Sequence, residues 1–340
     1  MGGVSGVGRR VALLLAVSSV WSGAAARADD FYKNKSVNVV VGFSPGGGYD
    51  LFGRTLARHI GAHIPGAPRV IVTNMPGAGS LTPVIWLDSA APKDGTTMVI
   101  FNHGLVGDSV LTPERIRVDF RKLAWIGSAA EDLSACYMWY KSGLHSISEI
   151  KAHGNINFGQ TAPGSSSDTL QHILRNVMGL TITTANGYPG SGEVRLAVER
   201  GELDGDCGAW AVNPPEWVAD KKIFPFIKNA PTIVPDMSPE VPYAVDAAPD
   251  EHGKAIVRQL IASTQVGRPF VMSRDVPAER LGIMRKAFDE TMRDPDFQAD
   301  LTRQNLPFSP RNGADALKVV DGIVNAPPDI IEAARKAMNE

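Results

Sequence analysis

The sequence has little cysteine, no excess of charge of either sign and no long apolar run. Cys136 and Cys207 are the only cysteines among 340 residues. Two are too few for a disulfide framework but enough for one bridge in an oxidising compartment. Both lie in apolar, strand-like surroundings, where two buried thiols fit equally well. Lys and Arg total 34 against 36 Asp and Glu, a formal charge of -2, so nothing draws the chain as a whole toward nucleic acid or an anionic membrane. Any anion site must be local. The uninterrupted apolar stretch at 11–17 falls well short of the ~20 residues of a spanning helix.

That stretch follows Arg9 and Arg10 and precedes Ala26-Arg27-Ala28. The pattern of charged segment, short apolar segment and A-x-A site reads as a signal peptide over 1–28, with export and a mature chain from Asp29. The paired arginines leave twin-arginine and general export both open. No cysteine sits at the cleavage site to carry a lipid, and the mature chain is expected not to insert into a membrane.

What is present is an alternation of strand and helix. The β-branched run 37–43 leads to Phe52, Leu56, Ile60 and Ile64, four apart on one helical face. Strands at 70–72 and 97–101 follow, with a helix to Ser89 between them. The pattern restarts after Leu133: strand 155–159, a helix closed by Gly179, strand 180–185 and a helix ending at Gly201. Such alternation implies a mainly parallel sheet whose ligands bind beyond the strands' carboxyl ends. The segment 214–249, rich in proline, reads as irregular; 267–272 reads as a returning strand, and three helical segments close the chain. Arg285, Asp289 and Arg293 read as a solvated helix face.

Several motifs fail for want of one residue. The segment 48–55 approaches the phosphate-loop pattern G-x-x-x-x-G-K-[ST], but Arg54 replaces the lysine and its last residues already belong to a helix. Gly77-Ala78-Gly79 begins a dinucleotide fingerprint whose third glycine is Thr82, so close approach to a ligand or another loop is the better reading. His59 and His63 have zinc-like spacing without a third ligand. Ser166, Asp168, His172 and His103 invite a hydrolase reading, but the closing glycine of G-x-S-x-G is absent and clustered serines before a helix are common N-caps. No metal or cofactor is expected.

Two similar devices remain. The stretches 46–50 and 165–168 each put backbone N–H groups at a helix start, where oriented amides attract anions. Two such ends across a cleft could grip a carboxylate without arginine. Asp50, in the first turn, is expected to bond local amides and hold its loop in shape.

The order and spacing of Phe43-Ser44-Pro45-Gly46-Gly47-Gly48-Tyr49-Asp50, Asn74-Met75-Pro76-Gly77-Ala78-Gly79, Ala91-Pro92-Lys93-Asp94-Gly95-Thr96-Thr97, the stretch 159–168 and Gly187-Tyr188-Pro189-Gly190-Ser191-Gly192-Glu193 resemble the Bug family. These are the extracytoplasmic solute receptors of tripartite tricarboxylate transporters. The resemblance implies an α/β, type II periplasmic-binding-protein fold, with two α/β domains, a hinge and an interdomain cleft. Domain 1 would take 29–130 plus 267–340 and domain 2 would take 131–266. It implies a periplasmic, non-enzymatic protein that passes a small organic carboxylate to permease subunits of that transporter type. The ligand residues it nominates are Ser44, Gly46, Gly47, Gly48, Tyr49, Gly79 and Ser80, facing Ser165, Ser166 and Ser167. Asn102, His103, Tyr188 and Trp210 could add a polar or aromatic wall. Where many members place an aspartate late in domain 2, this chain has Gly208, which weakens the expectation of an amino-acid ligand. An exported serine hydrolase and a ligand-presenting sensor partner are the alternatives.

Overall fold

The computed structural model describes residues 1–4 and 31–339, apart from 162, 232, 233 and 235. All but the first four residues of the expected signal peptide lie outside the described residues. The strands are β1 (Ser36–Val41), β2 (Arg69–Asn74), β3 (Thr97–Ile100), β4 (Ala124–Ser128), β5 (Ser134–Trp139), β6 (Asn155–Gly159), β7 (Thr181–Ala185), β8 (Gly205–Ala209), β9 (Ile223–Lys228), β10 (Pro269–Met272) and β11 (Arg311–Asn312). They form two sheets, in the orders β11-β4-β10-β3-β1-β2 and β7-β6-β8-β5-β9.

The parallel pairing expected from the strand–helix alternation holds for β1 with β2 and β3, and for β6 with β7 and β8. Besides the short edge strand β11, which runs antiparallel to β4, the antiparallel members are β10, returning between β3 and β4, and β5, set between β8 and β9. They flank the two places where the chain crosses between sheets. The crossings lie side by side: the Ala129 amide donates to the Arg268 carbonyl at 3.1 Å, that of Arg268 to Ala130 at 3.0 Å, and that of Asp132 to Thr264 at 2.8 Å. A side chain at Gly267 would sit 2.1 Å from the Asp132 nitrogen. Only glycine allows this approach.

Each sheet has its own core. Val37, Val39 and Val41 meet Phe52 and Leu56 of the helix Gly48–His59 and Ile60 of the short turn Ile60–His63 that follows it on one face of the first sheet, while Val40 and Val99 are buried on the other. Burial on both faces explains why 37–41 reads as a nearly continuous apolar run. Each such side chain contributes about 1.5–3 kcal/mol by leaving water. The second core gathers Ile156, Phe158, Leu170 and Ile173. The last helix, Pro328–Asn339, buries Ala334 and Ala337 in this second core, although the expected division placed it with the first domain. Cys136 and Cys207 face each other across β5 and β8 and form a disulfide.

Two expectations give way. The segment 214–249 contains the helix Pro215–Ala219 and the strand β9. Pro225 is tolerated there because β9 is an edge strand with a register shift opposite it. Four helices rather than three end the chain: Ala278–Arg293, Pro295–Arg303, Gly313–Val324 and Pro328–Asn339. Pro295 opens the second of these, and the Asp294 side chain caps it by accepting from the Asp296 amide.

Candidate functional site

A cleft of about 340 Å3 opens where the loops after β1 and β3 of one sheet face those after β6, β7 and β8 of the other. Ser44, Gly46, Gly47, Gly48, Tyr49 and Asn102 line one side and Ser165, Ser166 and Ser167 the other. All follow the carboxyl ends of strands, as expected of a sheet of this kind.

The two opposed loops are built alike. Gly46 and Gly164 both take positive φ, 89° and 70°. In each loop the amide of that glycine donates to an aspartate four residues on: Gly46 to Asp50 Oδ2 at 2.9 Å, and Gly164 to Asp168 Oδ2 at 2.7 Å. Asp50 also accepts from Arg54 Nε and Asn74 Nδ2, both at 2.8 Å, and Asp168 from Gln160 Nε2 at 2.6 Å. Burial opposes the charge on Asp50, but Arg54, Asn74 and the Gly46 amide together hold its pKa below the usual value. Asp50 thus has the loop-shaping role expected of it.

This bracing corrects part of the sequence reading. The Gly46 amide is occupied inside the protein, and so is that of Asp168, which donates to Ser165 Oγ at 3.3 Å. The amides of Gly48 and Tyr49, and across the cleft those of Ser166 and Ser167, have no acceptor among the described residues. A Cβ added at Gly47 would meet no atom within 4 Å, so it would project into open space.

Gly79, Ser80, His103, Tyr188 and Trp210 do not line this cleft. Ser80 is buried, and its hydroxyl accepts from the Asn102 amide at 2.6 Å. A Cβ at Gly42 would fall 2.1 Å from that of Ser80, so the Pro-Gly-Ala-Gly loop makes its close approach to the end of β1. Asn102 spans the halves, accepting from the Gly104 amide at 3.0 Å and donating to the Gly164 carbonyl at 3.1 Å. Trp210 is buried in an apolar cluster with Tyr137 and Val194, and Tyr188 packs against it.

Sequence reasoning missed Asp132 and Arg268, which sit on the two crossing segments and line the cleft. Arg268 Nη2 meets Asp132 Oδ1 at 2.7 Å, and both side chains are almost fully buried. Arg268 also lies over the Tyr49 ring, 4.8 Å from its centroid. The other Asp132 oxygen accepts from Ser134 Oγ at 2.6 Å and from the Ser166 hydroxyl. Burial works against ionising Asp132, yet Arg268, His103 and Ser134 hold its pKa far below the usual carboxylate range. Nothing in the spacing of these residues signals the pair, because they meet only when the crossings align.

Ser166 and His103 come together, with His103 Nε2 3.3 Å from Ser166 Oγ. His172 instead faces Asp168, 3.4 Å away. The Ser166 hydroxyl donates to Asp132, and His103 Nδ1 meets the neutral Ser263 hydroxyl at 3.0 Å. A catalytic triad has the histidine accept the serine proton and a carboxylate orient the histidine; here neither partner matches. His59 and His63 each meet a carboxylate, Asp300 at 3.0 Å and Asp294 at 2.9 Å. Among the described residues no group of three His, Cys, Asp or Glu could hold a metal ion.

Behind the serine loop, Asp108 is packed so tightly that a Cβ at Gly164 would lie 1.9 Å from its Oδ2. Burial and then the charge of Asp168 raise its pKa to about 7, opposed by Arg115 and His172. A raised carboxyl pKa means the folded state holds the proton more tightly. This contribution to stability is therefore full below about pH 4, the unfolded value, and is lost as pH rises toward 7. Asp108→Asn is expected to melt at least about 2–4 °C higher than the parent at pH 8, the equivalent of about 1 kcal/mol, with the gain shrinking toward pH 5. Calorimetry at the two pH values checks this; an equal gain at both would assign the effect to packing.

No family model matches the chain. A UPF0065 protein of Bordetella pertussis is 29% identical over 198 residues, 57% of this chain and 58% of the relative, so the match spans little more than half of either. Among solved structures, the periplasmic binding protein BugD superposes with a TM-score of 0.72 at 18% identity, covering 90% of this chain and 98% of BugD. MatC from Rhodopseudomonas palustris with bound malate gives 0.70 at 19% identity, covering 87% and 99%. The chain has the two-domain α/β fold of Bug- and TctC-type periplasmic binding proteins.

Proposed function

We propose that the chain is a Bug-family extracytoplasmic solute receptor, exported to the periplasm, which captures a small organic carboxylate and delivers it to a membrane permease of the tripartite tricarboxylate type. The observation that carries this reading is the pair of aspartate-braced loops facing each other across the cleft, with the amides of Gly48, Tyr49, Ser166 and Ser167 unoccupied. A neighbour of the same fold holds malate, and no helix among the described residues is long and apolar enough to cross a membrane.

Binding, not bond-making, is the function. Amides and serine hydroxyls donate to both carboxylate oxygens, compensating a charge removed from water. The two halves pivot on the paired crossings at 129–132 and 264–268 and close over the solute. Affinity is on the order of micromolar, about -8 kcal/mol. A thermal-shift screen against a library of organic carboxylates tests this: a ligand that binds only the folded state raises the melting point. No shift from any member at millimolar concentration would refute the assignment.

The contact between Ser166 and His103 is the one feature favouring an exported hydrolase. Covalent labelling of Ser166 by a fluorophosphonate would establish that alternative. A sensor role on the same fold would show as a sensor kinase, rather than permease genes, beside the gene.

A further inference from the structure

A second cavity, of about 300 Å3, lies behind the serine loop. It shares no lining residue with the cleft: Ser165, Ser166 and Ser167 face the cleft, whereas Pro163, Gly164 and Asp168 face the cavity. The loop is thus a wall common to both. Two helices supply the charged lining. The helix Ser166–His172 and the π-helical turn Ile173–Val177 that continues it present Asp168, His172 and Arg175. The helix Gly104–Leu111 and the chain just beyond it present Asp108, Thr112 and Arg115. A π turn within a helix is often found where that helix serves a site.

The acids of this cavity are engaged and its arginines are not. Asp168 accepts from the Gly164 amide at 2.7 Å and from Gln160 Nε2 at 2.6 Å. His172 is occupied as well, with Nε2 3.4 Å from Asp168 Oδ1 and Nδ1 3.3 Å from Asn176 Nδ2. Asp108, whose pKa burial and Asp168 raise to about 7, is only a partial counter-charge at neutral pH. Arg175 Nε is buried without a hydrogen-bond partner, and neither Arg175 nor Arg115 makes an ion pair or a side-chain hydrogen bond among the described residues. A buried donor left unpaired is costly, and a ligand that pairs it recovers that cost.

We propose that this cavity is a second binding site, which takes a tetrahedral oxyanion, phosphate or sulfate, free or as the monoester of a small molecule, with Arg115 and Arg175 as its guanidinium ligands. The inference is independent of the carboxylate reading of the cleft. A guanidinium fork matches the oxygens of such an anion, and a tetrahedral group offers oxygens to two forks where a planar monocarboxylate fills one. Thr112, Thr184 and Asn186 add polar side chains to the lining. The volume stands at the lower end of the range for small-molecule sites, roughly 300–1,000 Å3, so an ester fits as well as the bare ion.

The test is calorimetric titration of the purified protein with inorganic phosphate, sulfate, glycerol 3-phosphate and glucose 6-phosphate, at constant ionic strength set with sodium chloride. At least one should bind at millimolar concentration or below, and Arg115→Gln and Arg175→Gln should each weaken it tenfold or more. Arg115 is exposed, so its variant keeps the fold, and a melting curve reports on Arg175→Gln. Gly47→Val, which obstructs the cleft, should leave this binding unchanged. Equal affinity for ion and ester identifies the free anion and a tenfold preference for an ester identifies the monoester; both uphold the site. No binding by any of the four, binding that survives in both arginine variants, or binding lost in Gly47→Val would overturn the proposal, and none of these results bears on whether the cleft takes a carboxylate.

Discussion

Asp132→Ala is expected to cost about 3–5 kcal/mol of stability, because it strands the Arg268 guanidinium in the buried hinge. Asp132 is the acceptor at which four elements converge: Arg268 of the returning crossing, Ser134 of β5, Ser166 of the serine loop and His103 beyond β3. Removing it leaves a buried charge without a counter-charge and frees the serine loop from the hinge. Arg268→Met alone leaves Asp132 uncompensated in the same way, whereas the double variant Asp132→Ala/Arg268→Met removes both charges and should recover much of the loss. Denaturant titration of the three variants measures the coupling between the two positions. A single variant as stable as the parent would show that the ion pair does not hold the crossings together.

Gly47→Val is expected to weaken carboxylate binding by about 100-fold or more, roughly 2.7 kcal/mol, with the melting temperature nearly unchanged. The two halves of this expectation come from one observation: at Gly47 φ is -85° and a Cβ meets nothing within 4 Å, so the backbone tolerates a side chain that then fills the anion's path. Other glycines of the site differ in kind. At Gly104 a Cβ would lie 1.7 Å from the Gly164 carbonyl oxygen, so a side chain there would force the halves apart. Titration with a library hit, paired with a melting curve, separates lost binding from lost folding. Unchanged affinity would move the site away from the first loop.

The parts legible in the sequence are those governed by neighbours along the chain. The strand at 155–159 was read to its residue bounds because a turn and a helix start follow it directly, and Asp50 was assigned its bracing role because the first turn of a helix leaves amides within reach. The Gly46 and Ser165 loops were found for the same local reason. What escaped depends on contacts between distant segments. Asp132 and Arg268 carry no motif; they face each other only because two crossings pair. Strands β4 and β9 give no clean alternation in the sequence, because β4 is buried throughout and β9 is a proline-bearing edge. At β8 the position compared with the family is Gly208, whereas the acid that reaches the cleft is Asp206, two residues earlier on the same face. Ser80 and His103 sit just behind the wall they were expected to form, where they hold Asn102 and Ser166.

The most direct measurement is a crystal structure of the protein with a carboxylate that raises its melting point. The account predicts the carboxylate oxygens within about 2.7–3.2 Å of the Gly48 or Tyr49 amide on one side and the Ser166 or Ser167 amide on the other, the ordinary range for such bonds. A solute held elsewhere, or bound with those four amides turned to acceptors within the protein, would contradict it.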